Sequence, residues 1–335
     1  MQLRKWTYIS PYHSNLIKDT NRLAVFHEGI KDYYYNIKKE NLGYTKNQNK
    51  KSKSYSKKLD NIVYDLGTGS GILAYFASKY FKSVIAIDKD SKIIECAKKS
   101  FVDIKNITFI SQDALKYEFK KKADLVICEM LDTALIEEEE VLVLNRLQDY
   151  IKEDGKVIPQ GIINIAEPVH MENDKIHYED VEHGSNFDKD DNDCDDVEHG
   201  SNFDKYVNDF DNIKYKLDDN KNDNYHVLGK SVEFSSFDFL DYINPNFKTV
   251  INFKIDNFSE KNENKYEKFI NGIKITTFTK INEDIICGPT PMLNPPLFIP
   301  LETHKNMELI NKDEISIELQ YIMGGGLETI KAKII

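Results

Sequence analysis

The sequence has little cysteine, and no arrangement of it suggests a metal or redox site. Cys96, Cys128, Cys194 and Cys287 are scattered without a Cys-x-x-Cys pair. This argues against a zinc site and a disulfide framework, and predicts reduced thiols in a cytosol. There is also no apolar run long enough to span a bilayer, and the opening MQLRKWTYIS has no apolar signal core. A soluble, cytoplasmic protein is therefore expected. Positive charge is short as well, since the net charge is −11. Nonspecific nucleic-acid binding needs cations for phosphates, so this balance disfavours it and suits a basic partner better. What remains is ample for folding: 335 residues, 40% of them hydrophobic and 30% charged. That length supports two domains, and the composition fits a globular chain with polar insertions.

Two stretches read as insertions. Lys38 to Lys58 is rich in Lys, Asn and Ser, and Asp174 to His226 is rich in Asp and Asn. The second contains DVEHGSNFDK twice, at Asp180–Lys189 and Asp196–Lys205. So polar a segment cannot offset its ordering entropy, so disorder or a loose loop is expected. Two copies are too few for a solenoid and point to a slip duplication. Asp188, Asp190 and Asn192 alternate as in a calcium loop. However, Asp193 stands at the required turn glycine and His199 at the bidentate glutamate, so the motif fails. His183 and His199 read as solvated side chains, and no metal site is expected.

Between these stretches, strands and helices alternate. NIVYDLG (Asn61–Gly67), SVIAID (Ser83–Asp88), NITFISQD (Asn106–Asp113) and ADLVICE (Ala123–Glu129) read as strands. GILAYFASKY (Gly71–Tyr80) and SKIIECAKKSF (Ser91–Phe101) read as helices, the latter capped by Ser91. Glu139–Gly155 reads as an amphipathic helix ending on a glycine, and Lys156–Val169 as a fifth strand region. This pattern predicts an α/β Rossmann-like domain with a parallel sheet. After the acidic stretch, short alternating β-rich segments predict an antiparallel β-barrel or sandwich domain. The expected division is 59–160 for the first domain and 161–335 for the second, with the acidic insertion at 174–226.

DLGTGSG (Asp65–Gly71) lies where the first strand turns into the first helix. Gly67, Gly69 and Gly71 let the backbone approach a ligand at a helix N-terminus. Asp88 ends the second strand, where an acid meets ribose hydroxyls. A dinucleotide site needs Gly-x-Gly-x-x-Gly, and Ile72 stands where its third glycine belongs. Asp65 before the turn would repel a pyrophosphate but could hold an ammonium group. The pattern therefore favours S-adenosylmethionine, with Asp113 placed to reach an adenine amino group. This stretch resembles the class I S-adenosylmethionine-dependent methyltransferases.

A narrower resemblance begins at His13–Ile30, which looks like the cofactor-covering helix of protein arginine methyltransferases. His13, Leu16, Ile17, Asp19, Arg22 and Phe26 fill that pattern, with Leu-Ile in place of Met-Leu. The resemblance assigns residues 1–37 to cofactor-covering helices. It implies that Arg22 pairs with the cofactor carboxylate and that His13 sits near the cofactor. EMLDTALIEE, starting at Glu129, resembles the family's double-glutamate loop, most closely that of its monomethylating type. Glu129 and Glu138 match its spacing and, by this resemblance, grip the substrate guanidinium. A planar, permanently charged guanidinium meets carboxylates through charge-assisted, often bidentate bonds. Glu137, Glu139 and Glu140 read as a solvated helix start, and Asp132 as either a turn residue or a third acid. The chain departs from the family at its Thr-His-Trp loop. In GPTPMLNPPLFIPL (Gly288–Leu301), Thr290 matches the threonine, but Pro291 and Met292 replace His and Trp. The family's dimerisation arm is not recognisable, which leaves a homodimer open. The implied function is methylation of an arginine on a protein. The alternatives are methylation of another side chain or a small-molecule amine, and an inactive methyltransferase fold that serves in interactions.

Overall fold

A computed structural model describes residues 11–41, 58–179, 225–255, 269–302, 307–308 and 313–335. The repeats, the calcium-like pattern, His183, His199 and Cys194 lie outside the described residues, as does the lysine-rich tract from 42 to 57.

The described part of the N-terminal covering segment forms two helices, α1 (Pro11–Lys18) and α2 (Thr20–Asn41). Asp19 separates them and accepts the backbone N–H of Arg22 at 3.0 Å. That is the N-cap arrangement, and it starts a new helix. α2 then runs on through Lys38 and Lys39, so the first residues of the expected lysine-rich insertion are helical. Leu23, Phe26, Ile30 and Tyr34 recur at helical spacing on its buried face and pack with Phe76 and Phe81.

The α/β part contains β1 (Leu59–Leu66), α3 (Ile72–Ser78), β2 (Phe81–Asp88), α4 (Ser91–Ser100), β3 (Ile107–Ser111), β4 (Ala123–Cys128), α5 (Glu140–Leu147) and β5 (Ile151–Ile158). The sheet order is β3-β2-β1-β4-β5, and every pairing is parallel. Helices cover both faces, which is why Leu125 to Cys128 are apolar without alternation and fully buried. Strand order reverses between β1 and β4, so a ligand crevice opens at their carboxyl ends.

Two local expectations change. The cap of α4 is Asp90, whose Oδ1 accepts Lys92 N–H at 2.8 Å and Ile93 N–H at 3.3 Å, rather than Ser91. The expected helix over Glu139–Gly155 ends at Leu147, and β5 already starts at Ile151. The pairing of β5 with β4 shifts register between Ile151 and Lys156. Buried Gly155 lies in that irregularity, where a Cβ would meet the Ala123 carbonyl oxygen at 3.0 Å. Its glycine thus serves a bulged strand, not a helix end.

The expected fifth strand region is also two strands, β5 and β6 (Gly161–Met171), in different sheets. Pro159 has no N–H to continue the first ladder. Gln160 N–H turns to Lys280 O at 2.7 Å in the second sheet. The remaining strands are β7 (His177–Tyr178), β8 (Tyr225–Val227), β9 (Val232–Asp238), β10 (Asn246–Lys254), β11 (Phe269–Ile270), β12 (Gly272–Lys280), β13 (Ile286–Cys287), β14 (Leu297–Pro300), β15 (Met307–Glu308), β16 (Glu314–Ile322) and β17 (Lys331–Ile334). They form antiparallel sheets β7-β14-β12-β6-β8, with β9 on β6 and β13 on β12, then β10-β16-β17 and β11-β15. This is the expected antiparallel domain. One core runs through both parts, from Leu66, Val126 and Leu135 to Ile162, Phe239 and Leu319. β7 and β8 fall inside the stretch read as a loose acidic insertion. Its edges are therefore strands.

Candidate active site

The glycine turn follows β1, with Gly67, Gly69 and Gly71 at φ +65°, +51° and +80°. L side chains rarely adopt such angles, so the turn needs glycine. The space above it is also filled: a Cβ on Gly67 would meet Met130 Cγ at 2.6 Å, and one on Gly69 would meet His13 Cδ2 at 2.7 Å. His13 of α1 therefore lies directly over the turn. Burial holds its pKa below the ordinary imidazole value, although Asp88 pulls the other way.

Asp88 at the end of β2 holds the turn, accepting Gly69 N–H at 2.9 Å and Asp90 N–H at 2.9 Å. Asp65 is buried beneath it and accepts the Thr68 hydroxyl at 2.5 Å. Burial pushes Asp65 up to about 7, against the Thr68 hydroxyl and a backbone N–H that favour its ionised form. Asp113 sits just beyond β3, caps Leu115 N–H at 2.8 Å and pairs with Lys116 at 3.0 Å.

Arg22 is buried, and its Nη2 is paired with Glu129, the first residue past β4. Its Nε and Nη1 are buried and have no hydrogen-bond partner among the described residues. Burial lowers its pKa to about 10, opposed by Asp19, Tyr12 and Asp65. The sequence-predicted residues Arg22 and Glu129 thus meet each other. Glu138 lies further along the same loop, and its charge raises the Tyr12 phenol, on which burial acts more strongly and Arg22 acts oppositely. Tyr12 is therefore a shared neighbour of Arg22 and Glu138, a placement that spacing did not suggest.

The acidic loop is built around Asp132. Its carboxylate accepts the backbone N–H groups of Ile136 (3.0 Å), Glu137 (2.9 Å) and Glu138 (3.2 Å). Of the two readings open to it, the turn residue is the one seen. Burial raises it to about 7 despite those donors. Ala134 and Leu135 adopt φ +60° and +61°, which costs about 1–3 kcal/mol each for non-glycine residues. Surrounding bonds hold them there: Ala134 N–H to Thr277 Oγ1 at 2.9 Å, Gly324 N–H to Leu135 O at 3.0 Å and Gly326 N–H to Ile136 O at 3.0 Å. Of the three glutamates expected to be solvated, Glu139 keeps an exposed side chain at the start of α5 and the other two turn inward. Glu137 accepts the Tyr178 hydroxyl at 2.6 Å, Glu139 pairs with Lys89 at 3.2 Å, and Glu140 is fully buried.

The departing loop at Gly288–Leu301 is docked on the N-terminal helices. Asp19 accepts both the Thr290 hydroxyl and Met292 N–H, the latter at 3.0 Å. The N-cap signal of an aspartate before Thr-Asn-Arg was readable, but this second use of Asp19 was not. Cys128 and Cys287 are buried free thiols, whereas Cys96 is not free. The expectation of reduced thiols holds for those two and is corrected at Cys96, which is disulfide-bonded. Among the described residues, no helix is long and apolar enough to cross a membrane.

These residues fit the expected cofactor. Arg22 presents two buried donors, unpartnered among the described residues and suited to a carboxylate, and the glycine turn offers a cradle only glycine allows. A methyltransferase-domain family matches residues 63–155, which span the turn, Asp88, Asp113 and both loop glutamates. Fold and site together define a class I methyltransferase whose cofactor is S-adenosylmethionine. The chain belongs to the family of two full-length relatives, both described as uncharacterized proteins. One, from Methanothermobacter thermautotrophicus, is 35% identical over 327 residues, 98% of either chain. The other, from Methanocaldococcus jannaschii, is 30% identical over 332 residues, 97% of either chain. A shorter match joins it to the ribosomal protein L11 methyltransferase of Thermoanaerobacter pseudethanolicus, at 32% identity over 107 residues, 31% of this chain and 33% of that one. In fold it is similar to the Trypanosoma brucei PRMT1 enzyme-prozyme heterotetrameric complex with AdoHcy. That likeness has a TM-score of 0.61 at 16% identity, covering 92% of this chain and 87% of that one.

Proposed function

We propose that this methyltransferase acts on the guanidinium of an arginine in a protein substrate, held by Glu129 and Glu138. The observation that carries the reading is the Arg22–Glu129 pair. At the carboxyl end of β4, beside the glycine turn, Glu129 already engages a guanidinium, the chemical group the acceptor would present. The cofactor, when bound, supplies an electrophilic methyl group on a sulfonium. Arg22 would hold its carboxylate, Asp65 its amine, Asp88 its ribose and Asp113 its adenine amino group, with His13 covering the turn. Glu129 and Glu138 neutralise the acceptor's charge and orient one nitrogen toward the methyl group. Arginine releases a proton with difficulty before attack, so positioning and charge stabilisation outweigh classical base catalysis. The substrate is a basic polypeptide, which suits the acidic chain.

A second reading, methylation of another amine, is favoured by one observation. Pro291 and Met292 stand where the resembling family has His and Trp, and Asp19 is taken up by Thr290 and the Met292 backbone. Transfer of radiolabelled methyl from S-adenosylmethionine into a protein extract, followed by acid hydrolysis and amino-acid analysis, separates the two. Label in methylarginine is expected. Label in a different residue would discard the arginine reading and keep the enzyme.

A further inference from the structure

Glu140 is the first residue of α5, a place where a carboxylate is ordinarily solvated and favoured by the helix dipole. Its side chain is instead completely buried. One oxygen, Oε2, accepts Met130 N–H at 3.0 Å. The carboxyl also lies against the Cys128 thiol, at the end of β4. Cys128 and Met130 are the two residues that flank Glu129. A single side chain thus touches the chain on both sides of the glutamate that holds Arg22.

We infer that Glu140 is a positioning residue for Glu129, fixing residues 128–130 so that the Glu129 carboxylate faces the site. The inference rests on Glu129 being the acceptor-holding group. Ordinary helix packing would be served better by an apolar side chain, since a buried carboxyl is costly when one of its oxygens has no hydrogen-bond partner among the described residues. Met130 in turn covers Gly67, so the brace reaches from α5 to the cofactor cradle.

The brace works with the carboxyl neutral. The groups around it are the Cys128 thiol on β4, with Asp65 of β1 behind that thiol, and Glu138 on the loop. None is a cation. Burial first, and Glu138 as well, push Glu140 up to about 8, while Met130 N–H and the thiol oppose the shift. At neutral pH the side chain therefore adds no further negative charge beside Glu129 and Glu138. As pH rises past 8, a carboxylate forms there and strains the loop.

The test uses full-length protein labelled with 15N-methionine, with Met130→Leu assigning the Met130 amide. In the wild type this amide should titrate with a midpoint near the Glu140 value of about 8. In Glu140→Gln, which keeps an acceptor but cannot ionise, the titration should vanish and the alkaline loss of activity should shift upward. Transfer to an arginine-containing basic peptide at neutral pH should stay within about threefold of wild type in this variant. Glu140→Ala should lower kcat at least about tenfold while KM for S-adenosylmethionine moves less than about twofold. An unchanged titration in Glu140→Gln, or full kcat in folded Glu140→Ala, overturns the inference. If Glu140→Ala does not fold, the Glu140→Gln titration decides alone. Wild-type protein that leaves the peptide unmethylated sinks the arginine reading instead, and the Met130 titration still decides the placement of Glu140.

Discussion

Asp19 is one carboxylate with three donors on it. It caps α2 through Arg22 N–H and takes the Thr290 hydroxyl and Met292 N–H from the antiparallel domain. Loss of a cap costs about 0.5–2 kcal/mol, and unpaired buried donors add about 1–3 kcal/mol. Asp19→Ala should therefore lower the unfolding free energy by roughly 2–4 kcal/mol in urea titrations. It should also weaken S-adenosylmethionine binding, because Arg22 sits on the first turn that Asp19 starts. Glu129→Gln makes a sharper distinction. It removes the charge that grips a guanidinium, so methyl transfer should fall at least about a hundredfold. Arg22 keeps its place, so calorimetric affinity for S-adenosylmethionine should change by less than about threefold. Equal loss of both would show that Glu129 serves the cofactor instead. The residue types of this site were legible because each stands at a strand end or a helix start. Their pairing was not, since Arg22 and Glu129 are 107 residues apart and no local spacing links them.

The acidic loop shows what a single element's sequence conceals. Its charge suggested a solvated helix start, yet the loop is folded inward on Asp132, and the antiparallel domain holds it from outside. Thr277 of β12 is the central strut, accepting Ala134 N–H and donating to Asn164 Oδ1 at 2.6 Å. Thr277→Val preserves shape and removes both bonds. It should cost about 1–3 kcal/mol and lower kcat, as denaturant melts and steady-state kinetics would show. Unchanged kcat would mean the loop keeps its form without the strut. Alternation of strand and helix was readable because β1 to β4 are short apolar runs bounded by turn residues. The end of α5 was not, because Gly155 signals a helix stop and a bulged strand equally well. The glutamate run misled for a related reason: nothing in four adjacent identical side chains tells which one points inward.

At the scale of the whole molecule, the polar stretch from 180 to 224 holds fifteen acidic residues against five lysines, so −10 of the net −11 resides there. The structure on either side closes a neck. Lys274 Nζ reaches Glu179 Oε1 at 3.5 Å and the Tyr225 hydroxyl at 2.6 Å, and packs over the Tyr225 ring at 4.6 Å. Residues 179 and 225 therefore meet on one side chain. Under reducing conditions, in which no covalent tie at Cys96 persists in either protein, replacing 180–224 with a Gly/Ser linker of about eight residues should leave the melting temperature within about 2 °C of wild type. A fall of more than about 5 °C would show that the replaced residues support the fold. The cut must spare β7 and β8, because Tyr178 holds Glu137 of the acidic loop. The fold was the most legible level of all, since period and order determine it, while the neck depends on a lysine 49 residues from its tyrosine.

That neck also bears on how the gene can change. Where the two ends of a connection already touch, doubling its length costs only about 0.6 kcal/mol of closure entropy. A copying slip between Glu179 and Tyr225 is then nearly silent to selection for folding, and the tandem DVEHGSNFDK is the kind of scar such tolerance would let accumulate.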